Sequence, residues 1–228
     1  MNPLKTFNIP PLNRSLSSEL AILIITIVAL VSGCGTTKQF HSTSQVRSIS
    51  LDSKELTESG IAFLTPTSVT GLEESKQALA LAFTETMKST LPNMRIVPLP
   101  ESIGTINSAG LAGEYKQMYE DSRLTGIFNK DTLKKISQVT GVRYLAQLKL
   151  SGFQQGLQER WGFLGIRLLE TQTTSMRLYL QIFDGETGAI TWEGSQELTA
   201  SLDTLKDMPI AFNDAVEQSA KELIARLP

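Results

Sequence analysis

Residues 175–196 read SMRLYLQIFDGETGAITWEGSQ, and this stretch decides the fold. Met176, Leu178, Leu180 and Ile182 alternate with Arg177, Tyr179, Gln181 and Phe183, the period-two signature of a strand with one buried face. DGETG at 184–188 supplies the Asp and glycines of a chain reversal, and Ile190 and Trp192 bring the apolar face back. The stretch therefore predicts an antiparallel hairpin whose register is set by the apolar side.

Working upstream, the same period runs through VRYLAQLKLSG at 142–152. It sets Val142, Tyr144, Ala146, Leu148 and Leu150 on one face and Arg143, Gln147, Lys149 and Ser151 on the other, with Leu145 the exception. Between these strands lies FQQGLQERWGFLGIRLLETQ, residues 153–172. It carries Trp161, Phe163, Leu164, Ile166, Leu168 and Leu169 among Arg160 and Arg167, and it is far longer than a turn requires. Two readings stay open. The apolar groups extend the strands and pack on the sheet, or Trp161, Phe163, Arg160 and Arg167 form a partner-binding surface, being residue types enriched at interface anchors. Downstream, Phe212, Val216, Ala220, Leu223 and Leu227 form a helical stripe near the end of the chain.

The amino-terminal side reads differently. IAFLTPT at 61–67 predicts a short buried strand, and Thr70 and Glu73 have capping-box spacing. Leu79, Phe83, Met87 and Leu91 then follow at i, i+4 spacing on a helix over 72–91, and MRIVPLP at 94–100 predicts a second strand. Strand, helix, strand in succession is a βαβ unit, so this pair is expected to be parallel. Tyr115, Met118, Tyr119 and Ser122 share one face of a helix stopped at Gly126. Leu133 and Ile136 face inward on a second helix capped by Asn129 or Asp131 and stopped at Gly141. The Tyr and Met stripe is expected to be core. Together these elements predict one α+β domain with a mixed sheet of four to six strands packed by amphipathic helices.

The amino-terminal segment supplies an address. Residues 20–31 are apolar except for Thr26, and twelve helical residues span only about 18 Å, short of a bilayer core. Lys5 and Arg14 precede them, and Ser32 and Gly33 follow, as in a secretory leader. The run ends on Cys34, the only cysteine. Val31-Ser32-Gly33-Cys34 resembles the lipobox of bacterial lipoproteins. That resemblance implies cleavage between Gly33 and Cys34, lipidation of Cys34, attachment to the cell envelope facing the periplasm, and, with Gly35 next, sorting to the outer membrane. The expected organisation is a signal peptide at 1–33, a lipidated cysteine and flexible tether at 34–59, within which VRSISL at 46–51 alternates and leaves an added edge strand open, and a periplasmic α+β domain at 60–228. The order of elements from GIFNKDTLKKISQVTGVRYLAQLKLSGF to LYLQIFDGETGAITWEGS is also similar to the periplasmic domains of curli-secretion lipoproteins. The lipoprotein activators of penicillin-binding proteins and the amino-terminal domain of the Tol-system β-propeller protein share that pattern.

Composition and inventory narrow the chemistry. A net charge of −2 is no nucleic-acid footprint. His41 is the one histidine and falls in the expected tether, which leaves no base for a triad and too few ligands for a metal site. No glycine loop for nucleotides is present, and DGETG lacks the alternating carboxylates of a calcium loop. Glu159 and Glu170 are read as scattered surface acids rather than a glycosidase pair. The expectation is a non-enzymatic lipoprotein, with no cofactor, that binds or helps assemble an envelope protein or complex. The alternatives are a subunit of a curli-type outer-membrane secretion pore, which leaves a homo-oligomer open, and an unrecognised envelope hydrolase.

Overall fold

The computed structural model describes residues 38–68, 73–163, 166–204 and 212–228, with the side chains of residues 38, 155, 157–172 and 202–204 outside the description. Seven strands follow in chain order: β1 (Lys38–Ser48), β2 (Ile61–Phe63), β3 (Thr67–Ser68), β4 (Ile96–Val97), β5 (Tyr144–Phe163), β6 (Ile166–Asp184) and β7 (Ile190–Thr204). Six described helices accompany them: α1 (Ser53–Ser59), α2 (Glu73–Thr90), α3 (Leu99–Ser108), α4 (Ala112–Thr125), α5 (Lys130–Thr140) and α6 (Phe212–Ile224). Residues 38–228 form one compact unit.

The sheet is mixed and runs β1-β7-β6-β5-β2-β4, with β3 pairing β5 off that path. β5, β6, β7 and β1 are antiparallel, whereas β2 is parallel to both β4 and β5, as the βαβ reading requires. The sheet has seven strands rather than four to six, because β1 and the two-residue β3 join it.

Two cores result, one on each face. On the first, Leu79, Phe83 and Met87 of α2 and Val216, Ala220 and Leu223 of α6 pack on Tyr144, Leu148, Leu178, Leu180, Ile182 and Trp192. On the second, Ile106 of α3, Met118 of α4 and Leu133 and Ile136 of α5 cover Ala62, Val97, Leu145 and Phe183. Leu145 breaks the alternation of β5 because the sheet is buried on both faces at this end. The Asn129 side chain caps α5 by accepting the Thr132 N–H at 3.0 Å, and Gly141 ends it at φ +66°, a conformation open to glycine. Tyr115 and Tyr119 pack against the second core, as their stripe predicted.

Three expectations change. The segment at 34–59 is not a plain tether from Lys38 onward: residues 38–48 are an edge strand and 53–59 a capped helix. β1 is held by eleven residues of backbone ladder to β7 rather than by apolar side chains, so its polar sequence conceals it, and His41 consequently sits on a strand. Next, 94–100 is not all strand, since β4 ends at Val97 and Pro98 caps α3 with Pro100 in its first turn. Finally, Ile190 and Trp192 fall in different cores. A register shift pairs Trp192 with Ile182 but Ile190 with Phe183, leaving Thr191 as the extra residue of a bulge. The Thr191 carbonyl accepts the N–H groups of Ile49, Ser50 and Leu51 at 2.9, 3.1 and 3.2 Å, which fastens the turn after β1. Thr70 of the expected capping box lies outside the described residues.

Candidate interaction surfaces

Two polar clusters act as fasteners. At the start of β5, Arg143 donates to Asp184 Oδ2 from Nη2 at 2.8 Å and from Nε at 3.3 Å, and to Glu55 Oε2 from Nη1 at 3.2 Å. The Tyr144 hydroxyl donates to the same Glu55 oxygen at 3.1 Å, so α1, β5 and the turn after β6 are drawn together. Burial opposes ionisation of Asp184, but the Arg143 bonds and the N–H groups of Glu186 and Thr187 outweigh it and hold the carboxyl below its ordinary value. Burial and the bond to Glu55 push the Tyr144 phenol up to about 12. On the opposite face, the Tyr119 hydroxyl lies 2.7 Å from the Thr65 carbonyl and 2.8 Å from Gln147 Oε1. The Tyr115 hydroxyl accepts the Thr65 N–H at 2.8 Å and donates to Thr65 Oγ1 at 3.0 Å. Burial raises the Tyr119 phenol well above its ordinary value, so it serves as a neutral donor. These bonds join α4 to the loop after β2.

Neither cluster lines an apolar groove of about 780 Å³ between α2 and α3. Ala78, Ala80, Leu81, Pro98, Leu99 and Ile103 line it, together with the exposed Glu74, Glu85 and Lys88. Leu81 is 64 % exposed and Ile103 42 %. Leu81 also borders a second groove of about 350 Å³ between α2 and α6, so it forms a ridge shared by the two. Further apolar exposure occurs where α4 ends, with Leu124 at 90 % and Ile127 at 71 %. Isolated exposed apolar side chains are ordinary; a concave groove that brings Leu81 and Ile103 together is a candidate binding feature.

The residues singled out in the sequence are not gathered at this groove. Gly33 and Cys34 lie outside the described residues. Arg160, Trp161, Phe163 and Arg167 lie at the far end of the β5–β6 hairpin, where Trp161 pairs with Leu169, Gly162 with Arg167 and Phe163 with Ile166. In backbone, residues 153–163 and 166–172 are thus strand extensions; the side chains from 157 to 172 lie outside the description. Sequence reading missed Leu81 and Ile103. Leu81 could have been noticed, since it stands two residues past Leu79 and therefore off the Leu79-Phe83-Met87 stripe.

No family model and no curated protein sequence matches the chain. Among solved structures, the chain is similar to the PelC dodecamer from Paraburkholderia phytofirmans at 12 % identity and TM-score 0.44, over 82 % of this chain and 94 % of that one. It is also similar to lipoprotein GNA1162 from Neisseria meningitidis, at 15 % identity and TM-score 0.37 over 73 % of this chain and 98 % of that one. The LpoB C-terminal domain from Salmonella enterica matches at 14 % identity and TM-score 0.33, over 61 % of this chain and 82 % of that one. The functional reading therefore rests on this chain's own residues.

Proposed function

We propose that this chain is a non-enzymatic envelope lipoprotein, anchored through Cys34 at the outer membrane and facing the periplasm, whose domain binds another envelope protein. The apolar groove between α2 and α3 carries the reading. It offers exposed Leu81 and Ile103 beside small and proline side chains, with Glu74, Glu85 and Lys88 among its lining, a mixture of apolar anchors and charge that suits a protein-binding patch. A binding role is further supported by the two polar clusters, whose groups are engaged in holding helices to the sheet.

The test is the native size of the detergent-extracted protein, compared between wild type and Leu81→Glu. Wild type is expected in an assembly larger than one chain, and the variant in a smaller one with its melting temperature nearly unchanged. Differently tagged copies that co-purify would identify a second copy of this chain as the occupant and count for the pore alternative. A wild type that runs as a lone monomer would overturn the reading.

A further inference from the structure

Among the described residues the sheet has two unlike edges. β4 at one end is two residues long, whereas β1 at the other, Lys38–Ser48, is eleven. β1 pairs with β7 alone, and the ladder runs its whole length without a bulge. Alternate N–H and C=O groups along its outer side therefore meet no other strand among the described residues. Edge strands are ordinarily blunted by proline, a bulge, shortness or charged side chains. β1 has no proline and no bulge, and its charged residues, Lys38 and Arg47, stand at or next to its ends. Residues 39–48 are exposed apart from the half-buried Ser42 and Ser44.

The strand sequence KQFHSTSQVRS is self-complementary about its middle residue, Thr43. Its two large apolar side chains, Phe40 and Val46, stand three residues either side of Thr43 and are 38 % and 37 % exposed. Both lie on the face toward α6, because Ser42, on the same parity, donates to Glu222 Oε2 at 2.6 Å. Laid antiparallel on a second β1 with all eleven residues overlapping, Phe40 falls opposite the partner's Val46, and Val46 opposite the partner's Phe40. Thr43 meets its own copy on the axis. Lys38 falls opposite Ser48 and Arg47 opposite Gln39, so no like charges oppose. A slip of two residues sets Phe40 and Val46 against Ser44 and Lys38, or against Ser48 and Ser42. Full overlap and apolar pairing thus coincide in one register, which supplies about ten backbone hydrogen bonds across the seam, as many as an ordinary interface. We infer that β1 is the seam of a two-fold dimer, pairing antiparallel about Thr43 with β1 of a second copy of this chain. The axis stands normal to the sheet, so one sheet runs through both copies with α6 of each on the same side. The α2–α3 groove borders the opposite edge, where Pro98 and Leu99 follow β4, so the seam leaves both grooves open.

The experiment is oxidative crosslinking of the full chain extracted in detergent, comparing Thr43→Cys, Gln39→Cys and wild type on non-reducing gels. Opposed residues of an antiparallel pair have Cα atoms about 4.5–5.5 Å apart, within disulfide range, so Thr43→Cys is expected to join to itself across the axis. The two copies of residue 39 stand eight residues apart along the seam, about 27 Å at the rise of a strand. Gln39→Cys should therefore give only the wild-type level, a baseline that includes Cys34. At least about tenfold more crosslinked dimer is expected from Thr43→Cys than from Gln39→Cys. Adding Val46→Lys, at an exposed position, should remove the crosslink with the melting temperature nearly unchanged. Equal crosslinking at 39 and 43, a Thr43→Cys yield no greater than wild type, or a crosslink that survives Val46→Lys would overturn the proposal. A disulfide from position 43 to a different protein would assign the edge to that protein and overturn it as well. The crosslink should persist in Leu81→Glu, and its loss there would place the contact at the groove instead. Tagged copies that co-purify accordingly count toward the groove only where Leu81→Glu parts them.

Discussion

Trp192 and Gly194 make a pair whose energetics the structure specifies closely. Trp192 is 0 % exposed, and a Cβ placed on Gly194 would lie 2.5 Å from its Cη2, 3.0 Å from its Cζ3 and 3.1 Å from Leu223 Cδ2. Glycine is therefore required at 194 for close approach. Trp192→Ala removes a ring that buries on the order of 150–250 Å², worth about 4–6 kcal/mol by area. Core truncations of this kind cost about 3–5 kcal/mol, and at about 2–4 °C per kcal/mol for a domain this size the melting temperature should fall roughly 6–20 °C. Trp192→Phe should cost far less, since the indole N–H has no partner among the described residues and its loss orphans nothing. Gly194→Ala should destabilise wild type by about 1–3 kcal/mol through the clash. In the Trp192→Phe background that cost should shrink, because Phe lacks the outer ring carbons that the new methyl meets. A coupling of about 1 kcal/mol or more is expected in the double-mutant cycle. Denaturant titration followed by circular dichroism measures all five proteins. Strict additivity, or a Trp192→Ala midpoint equal to wild type, would refute this account of the first core.

Other predictions address the fasteners and the anchor. Asp184 has a depressed folded value, so its contribution is present above the unfolded carboxyl value and is lost as pH falls through the folded one. Asp184→Asn should thus lower the melting temperature at pH 7, and the gap from wild type should close in acid; a gap constant with pH would dissociate the carboxylate from the effect. Tyr119→Phe removes the donor to Thr65 and Gln147 and should cost about 1–3 kcal/mol in denaturant titration, with the second core otherwise intact. Cys34→Ala should abolish incorporation of labelled fatty acid, since it is the only thiol in the chain; persistent label would contradict the lipobox reading.

The parts of this fold that sequence reveals are those where apolar spacing does the specifying. The 176–182 alternation and the Leu79-Phe83-Met87 stripe are buried as their periods demand. β1 escapes because backbone hydrogen bonds to β7 hold it while its side chains stay polar. α3 is hidden because VPLP reads as the end of an apolar run, although its prolines sit where a helix begins. The facing of Ile190 was misjudged because one bulge residue inverts the period, and nothing in local composition marks Thr191 as that residue. The candidate groove depends on which side of α2 is left uncovered by α3 and α6, a tertiary fact visible beforehand only as Leu81 standing off its stripe. The 153–172 stretch stands out for its aromatics, yet its pairing as one long antiparallel ladder follows only from the register of β5 with β6.

The central claim, a lipid-anchored domain that binds an envelope protein through the α2–α3 groove, is tested most directly by photo-crosslinking in living cells. A photoreactive residue is placed in turn at Leu81, Ile103 and, on the solvent side of β6, Tyr179. The account predicts one discrete crosslinked protein from positions 81 and 103, and none from 179. Crosslinks from 179 with none from 81 or 103 would contradict it.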